Sequence, residues 1–362
     1  MPGGIERHIH DTAQRLSGED DVTIVATRGQ RPQRARMGGV RVELAREFGR
    51  VRGIPVSPRL ASVASEDRWD VVHLHCPNPT AELGLLGPRR SCRIATYHSD
   101  PTRPRALVPL YGRFLARVLA TCDRVLVSSE QLVARSPVLR QLRDRRRERV
   151  EVVPLGVDLQ RFHPRPTPAS QRLRDRLGPA PVVLFVGRLR HYKGIDDLIT
   201  AAARLDVTVV VVGDGPDPGR VTSAGRAQLG RRFIMPGLVG DAELPDWYRA
   251  ADVFCLPSTS AAETFGLAAL EAMACGRPVI TTELGTATSV VNAHGTTGLV
   301  VAPGDPSGLA EAIAIIVGDG ALAARMGGAA RERAVAHYDV VTMVRRIRDV
   351  YRSAVDERNA RA

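Results

Sequence analysis

The chain has 362 residues, of which 44% are hydrophobic, enough to fill the cores of two domains of ordinary size. No apolar run approaches the ~20 residues that cross a bilayer, and the first eight residues lack the pattern of a signal sequence. The net charge of +12 invites a nucleic-acid function, but zinc-ligand spacing is missing and only 4% of the residues are aromatic. We therefore expect a two-domain protein without a membrane span, and no nucleic acid as partner.

The basic residues are arginines, with the single exception of Lys193. This exception suggests that a compact ammonium group is needed at position 193. The alternative is that the bias towards arginine left one lysine by chance. The densest basic stretch, residues 135–149, is typical of a solvated face. A more specific interpretation is that these arginines attract an anionic membrane surface or a phospholipid-linked substrate.

The five cysteines are odd in number and lack C-x-x-C spacing. Buried thiols in a reducing compartment are the default interpretation of such a pattern. We therefore expect a cytoplasmic protein, with peripheral contact at the inner face of the plasma membrane as a further possibility.

The N-terminal half begins with a helical pattern over residues 5–16, opened by Gly3 and Gly4, a pair that suits close approach of an anion to the backbone. A βαβ unit needs a strand before that helix, so we expect the first strand of this domain to be missing and favour a shortened gene start. The helix is followed by alternating strand and helix patterns, which predict a doubly wound α/β domain. The predicted strands are 22–26, 40–44, 70–75, 93–97, 124–128 and 150–154, and residues 105–121 predict an amphipathic helix.

Three histidines lie on or after the predicted strands of this half. His73 and His75, at i and i+2, could be metal ligands, but they lack a neighbouring carboxylate cluster, and the chain lacks the D-x-D pattern of metal-dependent transferases. We expect no metal. His98 follows a strand, where a hydrogen-bonded structural histidine is the usual finding.

A proline-rich segment ending at Pro168 separates this half from a second alternation of strands and helices. We predict an N-terminal domain of residues 1–155, a C-terminal domain of residues 156–339, and a helix over 340–358 that packs back on the first. Ligands of such domains bind at the carboxyl ends of the strands. The predicted strands are 182–186, 207–212, 232–235, 252–256, 278–281 and 298–301, and the predicted helices 195–204, 220–229, 242–250, 266–274 and 307–317.

Two glutamates flank the start of the helix over 266–274. On one helix, a separation of eight residues would turn the Glu263 and Glu271 side chains about 80° apart around the helix axis. We therefore place Glu263 in the preceding loop and Glu271 on the helix. The free N–H groups of residues 265–267 would then form an anion site. Flanked by two carboxylates, it could hold a phosphate and the hydroxyl groups beside it. Two solvated glutamates without function are the alternative.

Two glycine-containing loops follow neighbouring strands of the same half. Gly187-Arg188 to Lys193 follows the first strand, where two cations would neutralise a diphosphate and stabilise a departing nucleoside diphosphate. Gly213 and Gly215 form a tight turn after the next strand, but a lone G-x-G is weak support for a nucleotide site. Surface cations without function are the alternative for the first loop.

Several of these segments resemble one enzyme family. Residues 263–278 resemble the E-x7-E signature of the retaining family 4 glycosyltransferases, which have the GT-B fold, and G-R-x4-K-G over 187–194 resembles their diphosphate-binding pair. Segments 98–100, 136–139 and 285–289 are similar to bacterial O-antigen mannosyl- and rhamnosyltransferases. Phosphatidylinositol mannosyltransferases share the broader set.

The resemblance implies an α/β protein of two Rossmann-like domains facing across a cleft, without cofactor or metal. It also implies transfer of a hexosyl unit, mannose from GDP-mannose, to a lipid-linked glycan or phospholipid. Alternatives are a UDP-sugar-dependent transferase, a GT-B epimerase, or a non-catalytic basic module that binds anionic membranes or nucleic acid. The implied catalytic residues are His98, Arg188, Lys193 and Glu263, and the implied donor-binding residues are Gly3, Gly4, Gly187, Gly213, Gly215, Thr264, Phe265, Gly266, Leu267 and Glu271.

Overall fold

The computed structural model of the chain describes residues 4–27, 33–51, 54–66, 68–87, 91–101, 108–146 and 149–360. It divides into two compact units. The N-terminal unit contains Ile5–Pro154 and the chain from Val341 onward, and the C-terminal unit contains Leu155–Val340 together with Gly4.

The C-terminal unit is built on one parallel sheet of six strands. Their order is β12-β11-β10-β13-β14-β15, which is the 3-2-1-4-5-6 order of the Rossmann fold. The strands are β10 Val182–Val186, β11 Thr208–Val212, β12 Phe233–Gly237, β13 Val253–Leu256, β14 Val279–Thr282 and β15 Gly298–Val301. The helices are α7 Pro168–Leu177, α8 Ile195–Ala202, α9 Pro218–Leu229, α10 Leu244–Ala250, α11 Leu267–Ala274, α12 Thr288–Val291, α13 Pro306–Gly318 and α14 Gly320–His337.

The central strands of this sheet are apolar runs that helices cover on both faces, as parallel sheets require. All five residues of β10, VVLFV, are buried, as are all five of β11, TVVVV. The core therefore lies along the middle of the sheet and holds the loops at its carboxyl edge in place.

The described residues of the N-terminal unit form three small sheets. β1 pairs parallel with β3, which also pairs antiparallel with β2; β4 and β5 form a hairpin; and β6-β7-β8-β9 form a parallel sheet. The strands are β1 Thr23–Thr27, β2 Gln33–Met37, β3 Val40–Ala45, β4 Gly49–Val51, β5 Ile54–Val56, β6 Val71–Cys76, β7 Cys92–Tyr97, β8 Arg124–Val127 and β9 Val150–Val152. The helices are α1 Gly4–Leu16, α2 Pro58–Val63, α3 Pro79–Gly84, α4 Val108–Leu119, α5 Glu130–Arg135, α6 Pro137–Arg146 and the C-terminal α15 Val340–Asn359.

The two sheets that contain parallel strands share no strand among the described residues. β1 ends one of them and β6 ends the other.

Helix α15 packs on other elements of the N-terminal unit. Arg348 forms ion pairs with Glu19 and Asp20 after α1, and Arg124 of β8 forms one with Glu357. In the described part of the chain no single helix has both the length and the apolar composition to cross a bilayer. Helices α13 and α14 together have sufficient length and apolar composition, but the pair is bent by 99°.

Candidate active site

Two loops lie at the carboxyl ends of β10 and β13, adjacent strands at the point where the strand order of the C-terminal unit reverses. Open α/β sheets bind their ligands outside such a switch point. The loop after β10 carries Arg188 and Lys193, and the loop after β13 carries Glu263. The fold therefore brings three of the predicted site residues to one edge of the sheet.

The loop after β10 is fastened to its neighbour by backbone contacts. The Leu189 N–H donates to the Asp214 carbonyl at 2.9 Å. A Cβ on Gly213 would lie 1.9 Å from the carbonyl oxygen of Gly187, and a Cβ on Gly215 would lie 2.3 Å from that of Leu189. Gly213 and Gly215 are thus needed for close packing of the two turns, whereas a Cβ on Gly187 would come no nearer than 3.4 Å, to the Phe185 ring. The packed turns hold the exposed Arg188 at the edge of the sheet.

Gly194 closes the short 3₁₀ turn His191–Lys193 and begins α8 with a left-handed backbone, φ 67°. A Cβ here would lie 1.9 Å from the carbonyl oxygen of Pro257, at the start of the loop after β13. The Thr259 N–H also donates to the Tyr192 carbonyl at 2.7 Å. The two loops are therefore locked together next to Lys193.

This contact gives a stability prediction. Gly194→Ala is expected to lower the free energy of unfolding by ~3 kcal/mol or more, because overpacking against backbone adds to the left-handed strain. Gly304→Ala is the matched control, since Gly304 has φ 70° and nothing within 4 Å of its Cβ position. It should cost only about 1 kcal/mol. Equal losses in urea unfolding for the two variants would contradict the close contact.

Glu263 accepts two hydrogen bonds on the same carboxylate oxygen. Its Oε2 contacts the Lys193 ammonium, and Ser258 Oγ donates to it at 3.2 Å. Ser258 is itself buried, and its carbonyl accepts from Thr282 Oγ1. The side chains of Lys193 and Glu263 are only 12% and 11% exposed, so the pair is largely shielded from solvent.

Burial alone would lower the pKa of Lys193, because it disfavours the charged form. The Glu263 carboxylate acts in the opposite direction, and the pKa of Lys193 is raised overall. The side chain is therefore an ammonium at neutral pH. Of its three N–H donors one is used on Glu263, which leaves two for other acceptors.

The loop after β13 ends at Gly266, whose left-handed backbone, φ 80°, caps α11. The first amide groups of a helix have no acceptor within the helix, so this turn offers N–H donors to an anion. Phe265 is 4% exposed and its ring packs on Tyr338, which makes it an anchor of the turn. The Thr264 carbonyl accepts from the Ala287 N–H at 3.1 Å. Leu267 is the first residue of α11.

Glu271 lies on α11 and is 4% exposed. Its Oε2 accepts a hydrogen bond of 2.7 Å from the hydroxyl of Tyr248 on α10. The second predicted glutamate is thus a buried, hydrogen-bonded side chain of the same unit, and not a solvated one.

His98 lies in the N-terminal unit, among three other histidines. Its Nε2 is 3.0 Å from Nδ1 of His75, and the ring of His8 packs edge-on against both at 5.7 and 5.6 Å. His73 contacts Tyr351 and Thr96 through its two ring nitrogens. Among the described residues, no group of three or more His, Cys, Asp and Glu side chains has an arrangement that could hold a metal ion.

Burial strongly disfavours the charged form of these four rings. It lowers the pKa of His8 to about 4 and the pKa values of His73 and His98 to about 3. The pKa of His75 also lies well below its ordinary value, chiefly through burial and then through its histidine neighbours. All four are neutral at pH 7.

Of the remaining predicted site residues, Gly4 is the first residue of α1, and Gly3 lies outside the described residues.

Two side chains that contact the site glutamates, Tyr248 and Ser258, are missing from the sequence-based prediction. Ser258 could have been found, because it directly follows the proline that ends β13. Tyr248 gives no such signal, since it lies within a helix whose apolar pattern explains it.

Both halves of the chain match family models. Residues 171–333 match the model of the glycosyl transferases group 1, and residues 2–161 match that of glycosyltransferase family 4. Among solved structures, sucrose-phosphate synthase from Thermosynechococcus elongatus has a TM-score of 0.80 at 23% identity, covering 97% of this chain and 93% of that one. That likeness concerns the fold.

Three relatives extend the comparison. D-rhamnosyltransferase WbpZ of Pseudomonas aeruginosa is 37% identical over 67% of this chain and 63% of the relative. O-antigen chain mannosyltransferase C of Escherichia coli is 31% identical over 68% of this chain and 66% of the relative. The matched region thus spans a little less than two thirds of these two proteins.

The D-inositol 3-phosphate glycosyltransferase of Acidothermus cellulolyticus is 33% identical over 99% of this chain and 88% of the relative. With both family models matched and a relative similar along nearly the whole chain, the protein belongs to the family 4 glycosyltransferases of the GT-B fold.

Proposed function

We propose that the protein is a retaining glycosyltransferase that transfers a hexosyl unit from a nucleotide sugar, bound at the switch point of the C-terminal unit. The observation that carries this proposal is the Lys193–Glu263 pair, which a buried serine and two locked loops hold at the carboxyl ends of β10 and β13. An ammonium, a carboxylate and a helix N-terminus in one place suit a diphosphate joined to a polyhydroxyl sugar.

In this proposal Arg188 and Lys193 neutralise the diphosphate and stabilise the charge that grows on it as the sugar leaves. Glu263 and the backbone amides of residues 265–267 hold the hydroxyl groups of the sugar, and Glu271 holds the ribose. The acceptor hydroxyl attacks from the face that the diphosphate leaves, and an oxygen of the leaving phosphate takes its proton. His98 assists near the anomeric carbon, an assignment that rests on the family resemblance alone.

GDP-mannose is the proposed donor, and a lipid-linked glycan or phospholipid is the proposed acceptor. Mannose as the transferred sugar is supported by the similarity to O-antigen chain mannosyltransferase C, and GDP as the nucleotide rests on the family resemblance. We propose metal-independent catalysis, with the positive charge supplied by the lysine, the arginine and the helix terminus. Contact with an anionic membrane through the arginines of α6 would bring a lipid-linked acceptor to the protein.

A thermal-shift screen with GDP-mannose, UDP-sugars and dTDP-sugars tests this function. We expect GDP-mannose to raise the melting temperature most, with the same shift in EDTA as in Mg²⁺. Proton NMR of the mannose released by slow donor hydrolysis should show the α anomer first. A larger increase in melting temperature with a UDP-sugar would show that the donor is a UDP-sugar and not GDP-mannose. Release of the β anomer first would exclude a retaining mechanism. Loss of donor binding in EDTA would exclude metal-independent binding.

A further inference from the structure

Glu271 is held by a side chain that comes from a different helix. The hydroxyl of Tyr248, on α10, donates to Glu271 Oε2 at 2.7 Å, and the two residues are 0% and 4% exposed. A hydrogen bond to a carboxylate is charge-assisted, and its strength increases where water is excluded. This contact therefore holds Oε2 of the carboxylate in place.

The ring of Tyr248 is itself fixed by aromatic packing. The Phe162 ring packs edge-on against it at 5.8 Å, and the Phe254 ring, from β13, lies tilted at 5.7 Å. The phenol is thus aimed by the core of the C-terminal unit, and it cannot turn away from Glu271 without disturbing that core. The orientation of the carboxylate is set before any ligand arrives.

We propose that Tyr248 is a positioning residue for donor binding: it presets the Glu271 carboxylate to accept hydrogen bonds from the ribose hydroxyls of a nucleoside diphosphate. This inference rests on the proposed function, which assigns Glu271 to the ribose. Presetting a side chain raises affinity because less conformational freedom is lost when the ligand binds.

Tyr248→Phe removes the hydroxyl and leaves the ring in its packing. We expect the Kd of the variant for GDP to rise about tenfold, the effect of one hydrogen bond to a charged group. The Kd for inorganic pyrophosphate, which has no ribose, should not change. A loss of core packing would lower the affinity for both ligands. A change for GDP alone therefore distinguishes a positioning role of Tyr248 from a purely structural one.

Tyr111→Phe is the matched control. The Tyr111 hydroxyl donates to both oxygens of buried Glu82, at 2.9 and 2.7 Å, in the N-terminal unit. The same atom is removed from the same kind of buried pair, but no role in ligand binding is assigned to it. We expect the affinity of this variant for GDP to be that of the wild type.

A double-mutant cycle with Glu271→Ala, which removes both carboxylate oxygens, completes the test in calorimetric titrations of the full chain. If Tyr248 acts through Glu271, Tyr248→Phe should have no further effect on GDP affinity in the Glu271→Ala background. Additive losses of affinity, or an unchanged GDP affinity in Tyr248→Phe, would overturn the inference while the proposed function stands. A wild-type protein that binds no nucleoside diphosphate would overturn the proposed function itself, and the inference with it.

Discussion

Lys193→Gln is expected to lower kcat for sugar transfer or donor hydrolysis by about a hundred- to a thousandfold, the usual effect of removing one donor that stabilises developing charge. Glutamine retains an N–H for Glu263 Oε2 but carries no charge for the leaving diphosphate. The ammonium is already in place, largely shielded and held against Glu263, so its effect should fall mainly on the chemical step.

The matched control is Arg190→Gln, on the same loop. Arg190 is exposed and is assigned no contact with the donor, so kcat should stay within twofold of the wild type. Lys193→Arg keeps the charge but places a planar fork where a compact ammonium fits, and it should restore only part of the activity. Release of nucleoside diphosphate at saturating donor measures all three variants, and circular dichroism checks their fold. Full turnover in Lys193→Gln would refute the role of this lysine.

Acidification is expected to destabilise the protein through four histidines of the described residues: His8 and His98, which are buried, and His73 and His75, which are half-buried. Their pKa values in the folded state lie far below the ~6.5 of an unfolded chain, so the unfolded state binds more protons below that pH. The stability they contribute is therefore fully present above pH ~6.5 and is lost as the pH falls. Between pH 7 and pH 5 the loss is about 2 kcal/mol per histidine, with four histidines setting the upper bound.

Urea unfolding at pH 7 and pH 5 measures this loss. His8→Leu should reduce the difference between the two pH values by about one histidine's share, since its buried Nε2 has no hydrogen-bond partner among the described residues. His10→Leu, at an exposed position on the same helix, should leave the difference unchanged. If both variants respond to pH as the wild type does, the buried neutral state assigned to His8 is wrong.

The sequence predicts the C-terminal unit well, because its strands are apolar runs and its loops follow them directly. Val182–Val186 is predicted with its observed bounds, and the Gly187–Gly194 loop lies at the carboxyl end of that strand. The proximity of Lys193 and Glu263 follows once both loops are placed at neighbouring strand ends.

Other elements leave no such pattern. β2 is exposed at all five positions, QRARM, so no apolar alternation marks it as a strand. Helices α7 and α14 are also absent from the prediction. Pro168 opens α7 from a proline-rich segment, where a first-turn proline is compatible with a helix. Gly327 lies within α14, where a Cβ would be 2.3 Å from the Gly276 carbonyl oxygen, so this glycine serves close packing and does not end the helix.

Side-chain pairs between elements are the hardest part to predict. Tyr248 and Glu271 are 23 positions apart on two helices, and their contact depends on how α10 and α11 pack against one another. The approach of His75 to His98 depends on the register of β6 and β7, which no local pattern fixes. The sequence therefore identifies groups that carry chemistry more readily than the groups that orient them.

The central claim is that Lys193 contacts the diphosphate of the donor, and one spectroscopic measurement tests it directly. Because Lys193 is the only lysine of the chain, labelling with [ε-¹³C]lysine gives a single side-chain resonance. We predict that this resonance shifts on saturation with GDP in the presence of EDTA, and that inorganic pyrophosphate shifts it in the same direction. A lysine resonance that stays in place while calorimetry shows the nucleotide bound would contradict the account.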